Sequence, residues 1–183
     1  MTAQDKPTLI GPRVTLRAAR DTDVQGRLEL GNTPEIQAMF GADPKQLREI
    51  TRDAAKAWVR NQMDEPHAWV IEVQTRLIGA LRIHSINRAD ARASVAIGIL
   101  DAHLLGQGYG TEAMQLLAKH AFENIGLHRL SCRVLAFNTR AIAAYEKVGF
   151  VQEGRERESA CIGDAWQDDI ILGLLPSDLK PIP

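Results

Sequence analysis

The chain has 183 residues, of which 45% are hydrophobic and 25% charged, with a formal net charge of −1. That length predicts one domain, residues 1–183, with a substantial single core, and the near-neutral charge offers no basic footprint for nucleic acid. Met1–Pro7 is polar, without the apolar stretch of a secretory leader. No apolar run reaches membrane-spanning length, so a cytoplasmic location without a membrane partner is expected.

Residues 1–9 read as a loose tail, and Arg13-Val14-Thr15-Leu16-Arg17 alternates as a half-buried strand does. Asp21 is a candidate N-cap for a helix running to about Leu30 and closed by Gly31-Asn32. From Thr33 to Arg48 the pattern is irregular, with Pro34, Gly41 and Pro44 as breakers, which fits either a loop over a site or a plain surface connection. Thr51 caps a second helix carrying Ala54, Ala55, Trp58, Val59 and Met63, stopped by Pro66. Three strands follow: Ala68–Val73, Leu77–Ile86 and Ala93–Leu100, joined by turns at 74–76 and 87–91.

The next stretch, Leu104-Leu105-Gly106-Gln107-Gly108-Tyr109-Gly110-Thr111-Glu112-Ala113, puts three alternate glycines between a strand and a helix. In that helix, predicted over 111–125, Met114, Leu117, Ala118, Ala121, Phe122 and Ile125 share one face. Glycines let backbone N–H groups approach an anion closely, and the first-turn donors and helix dipole meet its charge. Strand Leu130–Leu135 follows; Asn138 then caps a short helix with Ile142, Tyr145 and Val148, ended by Gly149. Phe150–Cys161 and Trp166–Leu174 read as a closing hairpin around Gly163-Asp164, whose exposed edge offers a pairing surface for a homodimer. Cys132 and Cys161 both sit in strand-like apolar surroundings and are expected to be reduced core residues. The order gives a mixed α/β sheet in which strand 93–100, helix 111–125 and strand 129–136 form a βαβ crossover with parallel strands. Ligands of such sheets gather at the carboxyl ends of the strands, where the glycine loop lies.

Other site chemistries find no support. No lysine follows Gly110 as a nucleotide-hydrolysing loop requires, the glycine spacing is not that of a dinucleotide site, and no His/Cys spacing points to a metal.

Two stretches carry a family resemblance: Gly106-Gln107-Gly108-Tyr109-Gly110-Thr111-Glu112-Ala113, and Asn138 through Tyr145-Glu146-Lys147-Val148-Gly149-Phe150. Both resemble segments of GNAT-type N-acetyltransferases, the first the acetyl-CoA pyrophosphate loop and the second the segment beside the thiol. Element order matches over roughly residues 10–175. The features look most like the branch holding ribosomal-protein alanine and spermidine acetyltransferases. The resemblance implies an acyl-CoA N-acyltransferase fold: a single mixed, mostly antiparallel twisted sheet, helices on both faces, and a central parallel pair splayed into a V. It also implies acetyl-CoA as co-substrate and a primary amine as acceptor, on a protein N-terminus or a small molecule. Backbone donors of residues 106–111, behind Leu105 at the head of the loop, would hold the pyrophosphate, Ile99 and Leu100 the pantetheine arm, and Asn138 and Tyr145 would also touch the cofactor. The family's Gln or Arg at the head of the loop is Leu105 here, which implies weaker or differently tuned cofactor binding.

Tyr145 is the expected general acid toward the departing thiolate. The base stays open. Ser94 stands where many relatives carry a glutamate and can only position a water; Glu72 and His84 on neighbouring strands are the other candidates. Asp101 and His103 read as structural turn residues. The acceptor surface is expected from residues 33–50, the turn 87–92 and the closing hairpin. The rival reading is a non-catalytic acyl-CoA-binding sensor or structural module.

Overall fold

The computed structural model describes residues 6–182. Eight strands form one sheet: β1 (Leu9–Ile10), β2 (Thr15–Arg17), β3 (Ala68–Val73), β4 (Arg76–Asn87), β5 (Arg92–Ile99), β6 (Arg129–Leu135), β7 (Val151–Ile162) and β8 (Ala165–Leu174). Their order is β1-β2-β3-β4-β5-β6-β8-β7, and every neighbouring pair is antiparallel except β5–β6. Among the described residues five α-helices accompany it: α1 (Asp23–Leu30), α2 (Pro34–Met39), α3 (Arg52–Asp64), α4 (Tyr109–Glu123) and α5 (Thr139–Val148).

Alternation explains the layering. One set of strand residues, including Ile71, Leu81, Ile83, Val95, Leu130 and Leu172, buries against Met114, Leu117 and Ala121 of α4 and Val148 of α5. On the other face Val70 and Leu77 bury against Val59 of α3. The sheet is thus covered on both sides, as expected for the fold class.

Several local expectations hold for visible reasons. Thr51 Oγ1 accepts from the Ala54 N–H at 3.1 Å and Asn138 Oδ1 from the Ala141 N–H at 3.1 Å, each satisfying a first-turn donor. Others need correction. Asp21 caps nothing: Thr22 precedes α1 without a side-chain cap, and the first helical residue, Asp23, takes the Arg20 N–H at 2.7 Å and pairs with Arg17. The tail reading fails at Leu9–Ile10, which pair with Leu16 and Thr15; residues 1–5 lie outside the described part. The segment 33–48 holds α2, because Pro34 sits at a first-turn position, where its missing N–H costs nothing. Cys132 is buried, but Cys161 is exposed near the hairpin tip, so only one cysteine is a core residue.

The N-terminal strands are locked to α4 by one carboxylate. Glu112, 2% exposed, accepts from the backbone N–H of Arg13 at 2.7 Å, that of Val14 at 3.0 Å and the Arg13 Nε at 2.9 Å. Removing it strands three donors. Glu112→Ala should cost about 3 kcal/mol, a Tm loss of roughly 6–12 °C, with Glu112→Gln losing less; differential scanning calorimetry reads both.

Candidate active site

The site begins where a ladder stops. β5 and β6 pair only through Arg92–Arg129, Ala93–Leu130 and Ser94–Ser131. Beyond Ser94, β5 stays with β4 as far as Ile99, while β6 follows β8 to Leu135, and the two diverge. Leu100 donates its N–H to Ile78 O at 2.7 Å, so strand alternation turns the backbone groups of Ile97 and Ile99 toward the gap. Ile99 is therefore placed as expected for an arm-binding residue. Leu100 is not, because its donor is already bound to β4.

At the wide end lies the glycine loop. Gly106 and Gly108 have φ of +75° and +87°, and α4 starts at Tyr109, two residues before the expected Thr111. Among the described residues, no N–H from Gly106 through Thr111 has a protein acceptor; the first to find one is Glu112, bonding Gly108 O at 3.0 Å. These are the orphan donors of a helix start, carried into a loop and left available to an anion. Gly110 packs against the strand: a Cβ there would lie 3.6 Å from Ile99 Cγ1.

Arg13, not singled out in the sequence, crosses this loop. Its Nη1 donates to Gln107 O at 3.0 Å, and the guanidinium lies 5.1 Å from the Tyr109 ring centroid. An added Cβ at Gly108 would meet Nη2 at 3.1 Å. A guanidinium thus borders the bare N–H groups around Gly108.

Tyr145 occupies the inner end. It is 7% exposed, its ring meets Phe150 edge-on at 5.0 Å, and its phenol lies beside the Cys132 thiol. Burial holds the phenol well above its ordinary value and, at the same spot, pushes the Cys132 thiol up to about 12. Tyr145 borders two spaces. An apolar slot of about 120 Å³ contains Ile99, Leu105, Gly110, Met114 and Ala144 in its wall; a wider cavity of about 700 Å³ opens on the opposite side of the gap. Ile97, Gly98, Phe40 and Asn138 also border both. Phe40 seals the gap so closely that a Cβ on Gly98 would lie 2.7 Å from its Cζ. The Asn138 side chain is engaged in the α5 cap and in a 3.4 Å contact to Met39 O, so it ties α2 to α5.

The base candidates fall apart spatially. Glu72 is bonded to Arg17 Nε at 2.6 Å and borders a different, polar cavity. Ser94 ends the ladder, its Oγ 3.4 Å from that of Ser131, with His84 opposite it on β4. Neither Ser94 nor His84 borders the two spaces around Tyr145. Asp101 and His103 are structural, as read: Asp101 accepts from the His103 N–H at 3.0 Å. The wide cavity takes walls from α2 and from Ala160–Ile162 of the hairpin, as expected, but not from the turn 87–92, which lies at the far, paired end of β5.

Sequence reading missed α2 and the polar residues of the wide cavity. For α2 a signal exists: Ile36, Met39 and Phe40 have helical spacing behind Thr33-Pro34. For Arg27, Arg82 and Asp169, which line that cavity from three separate elements, local sequence holds none.

Comparison with known proteins agrees with this geometry. A family model described as an acetyltransferase (GNAT) domain matches residues 13–151. Probable N-acetyltransferase YjcK of Bacillus subtilis is 33% identical over 103 residues, 56% of this chain and 57% of that protein's length. A spermidine N(1)-acetyltransferase of Vibrio cholerae is 25% identical over 85% of this chain and 89% of its own. Among solved structures, a GNAT-family acetyltransferase from Bacillus anthracis superposes with a TM-score of 0.79 at 18% identity, covering 92% of this chain and 98% of its own.

The Tyr145–Cys132 environment has a measurable signature. Above pH about 9 the unfolded chain releases the Cys132 proton that the folded chain keeps, so the folded state binds more protons and stability falls as pH rises. The stability difference between the native chain and Cys132→Ala should therefore shift against the native chain by about 1 kcal/mol from pH 9 to 10 in urea unfolding.

Proposed function

This chain belongs to the acetyltransferase (GNAT) family, and from that premise we propose how its residues carry out the acetyl-CoA-dependent N-acetylation of an amine. The observation that carries the reading is the row of unbonded N–H groups from Gly106 to Thr111 at the mouth of the strand gap. Donors without partners at a helix start fit a pyrophosphate, and glycine at 106 and 108 keeps side chains out of its way. Arg13, held by Glu112, turns its Nη2 toward Gly108, where it can donate to a phosphate that Leu105 cannot reach by a side-chain hydrogen bond. Ile97 and Ile99 offer N–H and C=O groups to the amides of the pantetheine arm, as a neighbouring strand would. The slot beside Ile99 and Met114 shields that arm from water.

Acetyl-CoA supplies the activated acyl group. The chain holds thioester and amine together between the slot and the wide cavity, which converts a bimolecular encounter into an aligned one. Tyr145 stands where the two spaces meet. Its buried phenol keeps its proton at neutral pH and directs it at the sulfur as the C–S bond breaks. A phenol is normally a weaker acid than a thiol, but burial here raises both, as the adjacent Cys132 thiol illustrates. The proton therefore moves in concert with C–S cleavage, as charge builds on the sulfur, and not to a thiolate already free. The ammonium proton of the acceptor passes to solvent water through the wide cavity, whose lining does not include Ser94 or His84.

Two variants test the assignment. Tyr145→Phe should lower kcat by about 100-fold or more while acetyl-CoA affinity stays within about twofold, read by thiol release and by calorimetry. Gly108→Asp places a carboxylate against the pyrophosphate; with partial cancellation by Arg13, acetyl-CoA affinity should fall by about 100-fold while the chain still folds. Unchanged affinity in Gly108→Asp would place the cofactor elsewhere. Acetyl-CoA binding without thiol release across a broad amine panel would favour a sensor.

A further inference from the structure

The wide cavity on the acceptor side contains cations without counterions. Arg27 is 5% exposed, an unusual position for a guanidinium. It donates to Gly31 O at 2.7 Å and Asn32 Oδ1 at 2.8 Å and lies 5.6 Å from the Trp58 ring centroid, and its Nε is buried without a partner. Among the described residues no carboxylate comes within 4 Å of it or of Arg82. Arg82 rises from β4 directly opposite Ala96, beside Ala80 and Gly98, so the floor around it is made of small residues that leave room. The carboxylate on the cavity wall, Asp169, is already engaged: it accepts from Arg133 at 3.0 Å and from Ser159 Oγ at 3.0 Å. Arg133 in turn is shared with Glu156. What stays unmatched is positive.

An isolated buried charge is costly unless something pairs with it. Arg27 holds two neutral acceptors, and burial alone pulls its pKa down, with no acidic neighbour to restore it. We propose that the wide cavity selects an acceptor amine that carries its own anion, a carboxylate or phosphate, bound by Arg27 and Arg82 while the amine points to Tyr145. The inference rests on the acetyltransferase reading above and narrows its acceptor class. It separates this chain from the relatives named for spermidine, since a polycation entering this cavity meets two unpaired guanidiniums.

Matched acceptor pairs test it. Thiol release at saturating acetyl-CoA is compared for alanylalanine and its C-terminal amide, for phosphoethanolamine and ethanolamine, and for spermidine. The anionic member of at least one pair should show kcat/KM at least about tenfold above its neutral twin, and the responding pair identifies carboxylate or phosphate as the group read. Arg82→Gln should collapse that preference through the KM of the anionic acceptor, Arg82→Lys should retain part of it, and Tm should hold because the side chain is exposed. Arg27→Met should act in the same direction. Equal turnover of both twins in both pairs, preference for spermidine, or a preference untouched by Arg82→Gln would overturn the inference and leave the acetyltransferase reading intact. The same acceptors titrated by calorimetry into CoA-saturated protein separate the two claims. Anion-selective binding without thiol release from any acceptor upholds the anion site and removes the enzyme reading. No selectivity and no release removes both.

Discussion

The arrangement depends on a backbone ladder that ends after three residue pairs. β5 and β6 are parallel neighbours, yet each has a longer antiparallel partner on its outer side, β4 to Ile99 and β8 to Leu135. Sheet twist carries neighbouring strands around their own partners. Two strands that answer to different partners cannot stay hydrogen-bonded along their whole length. The backbone groups exposed by the divergence must be satisfied by something, since buried amides do not stay unpaired without cost. A ligand with its own amides, entering edge-on, would restore what the ladder lost. The binding slot is therefore a property of sheet topology before any side chain is considered.

The ends of that slot are set by side chains. At the mouth, Glu112 and Arg13 form a brace between β2 and the first turn of α4, so the loop donors are held in place by contacts remote from the loop in sequence. The inner end is different in kind, apolar and dry, where Tyr145, Cys132 and Phe150 share one environment. A charged ligand lying along the slot would be gripped at one end and have its reacting atoms desolvated at the other, a division that favours electrostatic work on a thioester.

Legibility in the sequence followed the range of the interactions involved. The strands of the central meander, the caps at Thr51 and Asn138, and the glycine entry to α4 are local, set by periodicity and by single residues that cap or turn. They read correctly. Where partners lie far apart in the chain, local pattern is silent. Arg13 meets residues 94 to 99 positions away, and Arg27 and Arg82 share a cavity that exists only once α1 lies over the sheet. Glu72 looked available as a base because its partner, Arg17, is 55 residues earlier on a strand whose register could not be read. The missed α2 is another matter: its opening proline reads equally as a breaker and as a first-turn residue. Position within the fold chooses between them.

That short helix shapes how the gap communicates with solvent. Its ties to α5 are an exposed ion pair between Glu35 and Arg140 and the long Asn138–Met39 contact, with Ile36, Met39 and Phe40 resting on the opening. Ile36, 3% exposed, is the buried anchor of this helix and its other five residues are at least partly exposed, so it carries less burial than the sheet beneath. Widening of that opening needs only a turn and a half of helix to shift, with no strand moved. A cover of this kind would let the opening widen while the sheet that frames it stays in place.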